Sequence, residues 1–343
     1  MKPEFVSVVI VNYNGSAFLP ACLDSLVDQS YSQFEIILVD NGSTDDSISK
    51  INVDYPGVRL IRNSTNLGFA KACNQGIELS EGEYVAFLNY DTVVDRDWLN
   101  ELVKGISKST DIGAVMSKIL IIDKKPPTIN SSGGIIHFLG ISWSGNFNLP
   151  DSSIQNEERQ VAFVSGAAML ARRAVLDEVL PFDEDFFMYC EDTDLSWRMR
   201  LAGYRLMYEP ASIVHHHYHF SKNKMKFYYL ERNRLSMVLT NYDKRTLFLI
   251  ALPAFLFEIG MMANALVGGW LRLKLKTYFD LLLTNKAIRE KRRRVQALRK
   301  VTDREITSIF TSEIDFFAVN NIVISFLNFF YKLYWKLIYR LIR

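Results

Sequence analysis

The chain has 343 residues, of which 49% are hydrophobic, and its formal net charge is +2. This length excludes a single small domain and suggests one large α/β domain with an appendage, since a domain takes about 150 residues. The near-even charge excludes a protein that coats nucleic acid along its whole surface. The three cysteines, Cys22, Cys73 and Cys190, include no close pair of the kind that zinc or redox sites need, so we expect a reduced cytoplasmic setting.

The first quarter of the chain alternates short apolar runs with amphipathic stretches. Residues 6–11, 35–39, 58–61 and 84–88 are predicted strands, and residues 17–27, 45–51 and 68–79 are predicted helices. This rhythm predicts an α/β fold with a mostly parallel sheet, in which ligands bind beyond the carboxyl ends of the strands. Residues 1–4 lead into the first strand without the apolar core of a signal peptide.

Polar clusters follow each of these strands, at residues 12–15, 40–45, 63–68 and 89–92, and we expect them to line one sheet edge. The Pro-, Gly-, Ser- and Asn-rich residues 123–160 predict an irregular or short-stranded insertion near the acceptor side. Residues 161–172 predict a buried strand in which Gly166 allows a close approach of backbone or ligand. A further strand is predicted to end at residue 214.

Three carboxylates, Glu191, Asp192 and Asp194, come directly before a predicted helix at residues 192–202. As helix caps they would contribute about 0.3–1 kcal/mol each. Capping accounts well for one acidic residue at this position but poorly for three. Glu191 and Asp194 share a helical face, whereas Asp192 points elsewhere and could face a cleft. Because crowded carboxylates cluster at functional sites, we interpret Asp192 as functional.

The composition changes after residue 243, which predicts a domain at residues 1–243 and a helical tail at 244–343. Residues 246–271 are almost continuously apolar and long enough to span a bilayer. Residues 316–343 mix cations with aromatic side chains, as an interfacial amphipathic helix does. The basic run at 286–304 should stay on the cytoplasmic side, which favours a re-entrant or surface-lying hairpin over a single crossing. The alternative is a pair of helices buried in an oligomer interface.

Metal-binding residue types occur at two places. Asp91 follows a predicted strand, and a carboxylate at that edge can hold a divalent cation that bridges two phosphates. His215, His216 and His217, with His219 close by, form a run typical of a solvated loop or of a metal site. One imidazole among oxygen ligands is compatible with Mn²⁺.

In this order, these motifs resemble the family-2 glycosyltransferases with the GT-A fold. The similarity covers residues 5–242 and is specific because eight motifs occur in register. The nearest pattern is a rhamnosyltransferase-like branch, which has Asn-Pro-Asp where this chain has Asn89, Tyr90 and Asp91. The matching motifs are SVVIVNYN (7–14), VDNGSTD (39–45), NLGFA (66–70), LNYDT (88–92), GAAML (166–170), FDE (182–184), EDTDL (191–195) and ERNR (231–234).

The resemblance implies a donor-binding role for six residues. Two of them would hold the donor's base and ribose, and two others would lie near its diphosphate. In that order they are Tyr13 and Asp40, then Asn66 and Gly68, with Asn14 and Asn89 as further donor-binding residues.

The resemblance also implies a cation site. Asp91 matches the cation ligand and His216 the downstream metal-site histidine, with His215 and His217 as alternatives within the run. Asn89 replaces the first acid of the family's usual Asp-x-Asp pair, which removes one charged ligand. The implied cofactor is Mn²⁺ or Mg²⁺, and dependence on it stays open at this point.

In the family's inverting mechanism, Asp192 matches the base that takes the proton of the acceptor hydroxyl. Glu191 and Asp194 are the supporting carboxylates, which we expect to raise the pKa of Asp192 by like-charge repulsion, while the helix end and a metal lower it.

The sequence thus predicts an inverting, non-processive hexosyl- or deoxyhexosyltransferase (EC 2.4) at the cytoplasmic face of the cell membrane. Its partners would be a dTDP-, UDP- or GDP-linked sugar, a lipid-linked or cell-surface glycan acceptor, and anionic membrane lipid rather than nucleic acid. Single addition is favoured because the Gln-x-x-Arg-Trp string of the family's processive synthases is absent. The tail is also compatible with a homo-oligomer. The alternative function is a non-catalytic nucleotide-sugar-binding scaffold with the same fold.

Overall fold

The computed structural model describes residues 2–49, 51–218, 223–315 and 322–342. These residues form two compact units. The described part of the first unit comprises residues 2–134, 144–199 and 204–218, and that of the second comprises residues 135–143, 200–203, 223–315 and 322–342. The domain division after residue 243 stays a prediction, because these units are defined by packing alone. The predicted amphipathic segment 316–343 begins outside the described residues, which resume at residue 322.

The strands belong mainly to the first unit, where ten of those described build one sheet. A small separate hairpin is formed by the eighth and ninth strands. The strands are β1 (Lys2–Asn12), β2 (Phe34–Asp40), β3 (Val58–Arg62), β4 (Gly82–Asn89), β5 (Thr92–Val94), β6 (Ile112–Ile121), β7 (Thr128–Ser131), β8 (Gly134–Ile136), β9 (Ser142–Ser144), β10 (Arg159–Gln160), β11 (Ala168–Arg172) and β12 (Arg205–His216).

The helices of the first unit flank this sheet, and those of the second unit pack on one another. The first six are α1 (Leu19–Val27), α2 (Ile51–Asp54), α3 (Phe69–Leu79), α4 (Trp98–Ser107), α5 (Arg173–Val179) and α6 (Glu191–Leu201). The next six are α7 (Met225–Asn241), α8 (Lys244–Val267), α9 (Leu271–Leu283), α10 (Asn285–Ala297), α11 (Asp303–Thr307) and α12 (Ile322–Tyr339).

The sheet has the order β10-β12-β6-β11-β4-β1-β2-β3. Its β4-β1-β2-β3 half is parallel throughout, as the sequence predicts, and β6 and β12 form a second parallel pair. Between them β11 runs antiparallel to both neighbours. The apolar runs of β1, β2 and β4 are buried, because helices cover both faces of a parallel sheet. Their carboxyl ends therefore meet at one edge.

Two sequence-based expectations about local structure are wrong. Residues 45–49 form turns, and α2 begins only at residue 51, because the Asp45 carboxylate accepts bonds from Ser47 N (3.2 Å) and Ser16 N (2.9 Å). Such side-chain bonds compete with the helical ladder. The predicted strand at 161–172 is a strand only from residue 168. Two of its earlier amides bind side chains of α6 instead, with Val164 N donating to Ser196 Oγ and Gly166 N donating to Asp192 Oδ2, each at 3.1 Å.

The second unit has a buried ionic network at its centre. Arg234 of α7 contacts Glu231, at 3.0 Å, and Glu258 of α8. Lys274 of α9 is fully buried and contacts Glu231 and, at 2.6 Å, Glu258, which also accepts from the Tyr278 hydroxyl. A buried charge is tolerated only when it is paired in this way, so the network fixes α7, α8 and α9 to one another.

We expect Gly76→Ala to destabilise the first unit. A Cβ at Gly76 of α3 would lie 2.3 Å from Val9 Cγ1 of β1, so the helix must move away from the sheet. Such overpacking costs about 1–3 kcal/mol. Gly57→Ala is the control, because a Cβ there has no neighbour within 4 Å among the described residues. Thermal unfolding of the two variants should show a lower midpoint for Gly76→Ala only; equal midpoints would contradict the tight helix–sheet contact.

Candidate active site

The carboxyl ends of three parallel strands bring polar residues together. Asn12 of β1 lies opposite Asp40 of β2, and Val11 lies opposite Asn89 of β4. The polar clusters predicted to share a sheet edge therefore do so. The side chains of Asn12 and Asp40 are buried, although they are polar, so they must bond to each other and to the following loop.

A hydrogen-bond network anchored on Asn12 shapes the start of this edge. Asn12 Nδ2 donates to Asp40 Oδ1 at 3.3 Å and to the hydroxyls of Ser43 (3.1 Å) and Ser47 (2.9 Å). Asn14 adopts a positive φ of 53°, and its Oδ1 accepts from the Thr44 amide at 2.8 Å. The loop after β2 is thereby held in place against the loop after β1.

Tyr13 is the exposed residue of this region. Tyr13 is 42% exposed, whereas Asp40, which lies opposite the preceding residue Asn12 on the neighbouring strand, is 4% exposed. An exposed aromatic ring next to a buried carboxylate provides a stacking surface and a hydrogen-bond acceptor, which are the groups that a nucleoside needs. The donor-binding roles of Tyr13, Asn14 and Asp40 stay predictions.

Asn41 connects the second and third strand ends, a role that the sequence does not reveal. Its Nδ2 donates to Asn66 Oδ1 and to the Gly68 carbonyl, each at 3.1 Å, and its Oδ1 accepts from the Leu67 amide at 3.0 Å. Asn66 Oδ1 also accepts from the Gly68 amide at 2.9 Å. Asn66 and Gly68 are therefore held at the N-terminus of α3, where backbone amides favour anions such as a diphosphate.

Gly68 meets the loop that precedes the acidic cluster. It has a φ of 90°, and a Cβ there would lie 2.7 Å from the carbonyl oxygen of Phe187. In that loop Phe187, Tyr189 and Cys190 all have positive φ values, of 61°, 67° and 65°. Non-glycine residues adopt this conformation at a cost, and such strain clusters at active sites.

Asp192 occupies the first turn of α6 and is half-buried. Its Oδ2 accepts from the Gly166 amide at 3.1 Å, and its Oδ1 accepts from its neighbour Thr193 N at 2.7 Å. The residue after Gly166, Ala167, accepts through its carbonyl from Asn89 N at 3.0 Å, so Asp192 lies next to the end of β4. Burial raises the pKa of Asp192, while these hydrogen bonds lower it less strongly.

The two neighbouring carboxylates occupy different surroundings. Glu191 is buried, its Oε2 has no hydrogen-bond partner among the described residues, and burial followed by the Asp192 charge raises its pKa. Asp194 is fully buried and accepts from Arg198 Nε at 2.9 Å. Arg198 in turn donates to the carbonyls of residues 179–181, so the ion pair of Asp194 with Arg198 attaches α6 to the end of α5 and the residues that follow it. Burial, rather than the Glu191 and Asp194 charges that we expected, is the main cause of the raised Asp192 pKa.

The histidine run is divided by the alternation of strand β12. His216 is buried, and its Nε2 lies 3.2 Å from Asp91 Oδ1. His215 instead has its Nε2 3.0 Å from Asp95 Oδ1, and His217 packs its ring on Phe18 with centroids 4.7 Å apart. The geometry therefore places the His216 imidazole beside the Asp91 carboxylate, whereas His217 contacts Asp91 through its backbone amide, which donates to the Asp91 carbonyl at 2.9 Å. His219 lies outside the described residues.

Asp91 and His216 fit a divalent cation. Asp91 Oδ1 is buried and has no hydrogen-bond partner within the described parts of the chain, although His216 Nε2 is near. Their spacing is close to the roughly 3 Å between adjacent ligands of an octahedral ion bound at about 2.1 Å. No group of three or more His, Cys, Asp or Glu residues suited to a metal occurs among the described residues. The remaining ligands would have to be water or phosphate oxygens.

Comparison with known proteins defines the class of protein that this fold and site represent. The sequence profile described as "Glycosyl transferase family 2" matches residues 7–180, and the chain belongs to that family. The crystal structure of GalNAc-T7 with UDP, GalNAc and Mn²⁺ matches with a TM-score of 0.58 at 19% identity, covering 70% of this chain and 48% of that one. The fold is therefore GT-A, and the resemblance inferred from the motifs is confirmed.

Two curated relatives indicate the class of reaction. The N-acetylglucosaminyl-diphospho-decaprenol L-rhamnosyltransferase of Mycobacterium tuberculosis is 30% identical over 235 residues, covering 62% of this chain and 76% of the relative. The poly-beta-1,6-N-acetyl-D-glucosamine synthase of Staphylococcus epidermidis is 29% identical over 215 residues, and the match covers 49% of that protein. This chain is accordingly a glycosyltransferase, EC 2.4.

We predict that His216→Ala lowers the affinity for Mn²⁺ more than His215→Ala does. His216 has its Nε2 beside Asp91, whereas His215 has its Nε2 beside Asp95, so the loss of His216 should remove one of the two predicted protein ligands. Titration of the purified variants with Mn²⁺, followed by the paramagnetic resonance signal of the free ion, measures the affinities. An equal loss in the two variants would contradict the assignment.

Glu191→Gln should stabilise the protein increasingly as the pH rises. Folding raises the pKa of the Glu191 carboxyl group above its unfolded value of about 4.3. The free energy of unfolding of the wild type therefore falls as the pH rises from the unfolded to the folded pKa. Glutamine carries no such charge, so the variant and the wild type should match at low pH and diverge above it. Urea unfolding across this pH range provides the free energies of unfolding; a difference that is constant with pH would contradict the buried, raised carboxyl.

Proposed function

We propose that this chain is an inverting, non-processive glycosyltransferase that uses a dTDP-, UDP- or GDP-linked donor. The acceptor is a lipid-linked or cell-surface glycan precursor at the cytoplasmic membrane face. The observation that supports this most strongly is the half-buried Asp192 carboxylate, held by the Gly166 amide beside the end of β4. The M. tuberculosis relative is named for an acceptor on a lipid diphosphate, which supports a lipid-linked acceptor here.

Asp192 acts as the general base. Its carboxylate takes the proton of the acceptor hydroxyl while that oxygen forms a bond to the anomeric carbon of the sugar. The bond from that carbon to the nucleoside diphosphate breaks, and the electron pair leaves with the diphosphate. One displacement from the opposite side inverts the anomeric configuration. The raised pKa keeps Asp192 a stronger base than an ordinary aspartate.

The other end of the reaction needs positive charge to balance the departing diphosphate. Asp91 and His216 would hold Mn²⁺ or Mg²⁺, which supplies that countercharge when bound, and GalNAc-T7 was solved with Mn²⁺. The N-terminus of α3, held open by Gly68, adds oriented backbone amides. Asn66 fixes this turn through its bond to the Gly68 amide.

Membrane association is supported by the placement of charged and apolar side chains on α8. By length and composition, α8 is the one helix in the described parts of the chain that could cross a bilayer. Its one charged residue after the first turn, Glu258, faces the ionic network within the second unit, whereas Phe248 and Phe255 are 81% and 64% exposed. A helix that turns its charge inward and its large apolar side chains outward is suited to an apolar exterior.

Two further helices present apolar rows beside cations. The exposed row of α12 comprises Phe326, Phe329, Leu333 and Leu337, and that of α9 comprises Leu275, Phe279, Leu282 and Leu283. On α12, exposed Lys332 and Lys336 each precede a member of the row, and exposed Arg340 and Leu341 directly follow the helix. Cations beside apolar side chains suit an anionic leaflet. The same face is less suited to a symmetric homodimer, because pairing would place its cations next to those of the second chain.

We propose that α8 lies in the plane of the membrane rather than across it. Glu258 is near the middle of the helix and is bonded to Lys274 and Arg234. A crossing would place these charges at the bilayer centre, at about 2.5–3.5 kcal/mol each. In-plane binding keeps the network inside the protein and puts only the apolar rows into the leaflet.

Asp192→Asn should lower sugar transfer by about 10²–10⁴-fold, the usual contribution of a general base, and leave donor binding largely intact. The acid limb of the wild-type pH–rate profile should lie above the range of an ordinary aspartate, because a raised pKa keeps the base protonated to higher pH. Turnover and nucleotide affinity are measured in parallel. Unchanged turnover would remove the assignment, and nucleotide binding without turnover of any donor by wild type would favour the scaffold function.

Phe255→Asp combined with Leu333→Asp should weaken binding to vesicles of anionic lipid by at least about tenfold, since each apolar side chain contributes about 1.5–3 kcal/mol. Val53→Asp is the control, because Val53 of α2 is also exposed, at 79%. Vesicle co-sedimentation provides the partition coefficients. Equal binding of the two proteins would contradict the apolar rows as the membrane contact.

The orientation of α8 is tested by single cysteines at two exposed positions, Arg245 in the first turn of α8 and Arg272 in the first turn of α9, which follows its other end. In membrane vesicles of one orientation, a reagent that cannot cross the bilayer should label both positions. Labelling of only one position would show that α8 crosses the membrane.

A further inference from the structure

A β-bulge lies beside the candidate metal site. In the pairing of β6 with β7, Ile119 lies opposite Ser131 and Leu120 lies opposite Ile129, so one residue of β7, Asn130, is left over. A bulge of this kind changes the direction of a side chain, and bulges are enriched next to active sites. The position of Asn130 is therefore a specific feature of the strand rather than a regular pairing.

The bulge directs Asn130 to His216. The Asn130 side chain is buried, and its Oδ1 lies 2.9 Å from His216 Nδ1. His216 is fixed from its backbone as well, because its carbonyl accepts from the Ile122 amide at 3.0 Å. Its other ring nitrogen, Nε2, faces Asp91 Oδ1 at 3.2 Å.

The two nitrogens of a neutral imidazole cannot both donate, so the partner of one decides the state of the other. With Asn130 Oδ1 as acceptor, the proton sits on Nδ1 and the Nε2 lone pair is free to bind a cation. Asp91 Oδ1 has no hydrogen-bond partner among the described residues, so it is free to bind the same cation. Metal-binding histidines commonly have such a second partner.

We propose that Asn130 is a positioning residue for the metal site: it holds His216 in the Nδ1–H tautomer and presents Nε2 beside Asp91. This inference rests on the proposed function, because it gives His216 a cation to bind. It concerns a residue that lies within the insertion at 123–160, on β7 of the sheet, and outside every motif by which the family resemblance was inferred. Asn130 touches neither sugar nor phosphate in this assignment and acts through His216 alone.

The first test reads the tautomer directly. Metal-free protein labelled with ¹⁵N in its histidines is studied by long-range proton–nitrogen correlation at a pH where imidazole is neutral, with His216→Gln identifying the signals. Wild type and Asn130→Asp should show the Nδ1–H tautomer of His216, because both side chains accept a hydrogen bond there. Asn130→Leu should lose it. An Nε2–H tautomer in wild type would overturn the proposal, whether or not the protein transfers sugar.

The second test measures Mn²⁺ affinity, with the metal alone as the probe. Asn130→Leu should bind Mn²⁺ about 10–100-fold more weakly, as loss of a second partner does, and Asn130→Asp should bind it at least as well as wild type. Ser132→Ala is the matched control, since Ser132 is a fully buried neighbour whose hydroxyl accepts from Asn146 and Arg159 instead.

Wild-type affinity in folded Asn130→Leu, or an equal loss in Ser132→Ala, would overturn the positioning role. If Asn130→Leu does not fold, the tautomer of wild type and the behaviour of Asn130→Asp still decide the matter. A protein that shows the expected tautomer and metal affinity but turns over no sugar would refute the proposed function and leave the positioning role standing.

Discussion

The hydrogen bond from the Gly166 amide to the Asp192 carboxylate is the interaction on which the arrangement of the site depends. It joins the first turn of α6 to Gly166, two residues before β11, and the next residue, Ala167, bonds to Asn89 at the end of β4. The buried Gly166 amide needs an acceptor and the half-buried Asp192 Oδ2 a donor, so separating them would leave both groups unsatisfied. This bond also ends the ladder early, which is why β11 begins at residue 168 rather than at residue 161.

From this point the polar strand ends continue as one connected set. Asn12 and Asp40 bond across β1 and β2, and Asn41 carries the connection to Gly68 at the start of α3. Gly68 then meets the carbonyl of Phe187 in the strained loop that leads to Asp192. The parallel register alone places these residues at the same edge, and their mutual hydrogen bonds fix their geometry before any donor binds. Such preorganisation reduces the reorganisation that the reaction would otherwise require.

Much of this could be predicted from the sequence, because apolar runs with polar ends define parallel strands. The predicted runs of β1, β2, β3 and β4 are strands in the structure. The choice among His215, His216 and His217 follows from strand alternation once β12 is seen to extend through residue 216, but the sequence does not show where that strand ends. The bulge at Asn130 leaves no sequence signal, since it depends on the register in which β7 pairs with the preceding strand, β6. The ionic partner of Asp194 could have been predicted, because Arg198 is four residues away on the same helix.

The second unit shows a different constraint. The ionic network of Glu231, Arg234, Glu258 and Lys274 lies in its interior, whereas α8, α9 and α12 expose large apolar side chains. The hydropathy of the sequence indicates that residues 246–271 are a long apolar segment, but not which of its faces is buried. Only the partners of Glu258 show which face of α8 turns inward, and this distinction separates a helix in the membrane plane from one that crosses it.

Nucleoside diphosphate release tests the central account most directly. Purified protein would be given a panel of UDP-, GDP- and dTDP-sugars with a membrane lipid extract as the source of acceptor, and the product's anomeric configuration would be determined. The account predicts release from one donor, dependent on the lipid extract, with inversion at the anomeric carbon. Retention of configuration would contradict Asp192 as the base of a single displacement, and no release from any donor under these conditions would contradict the catalytic function itself.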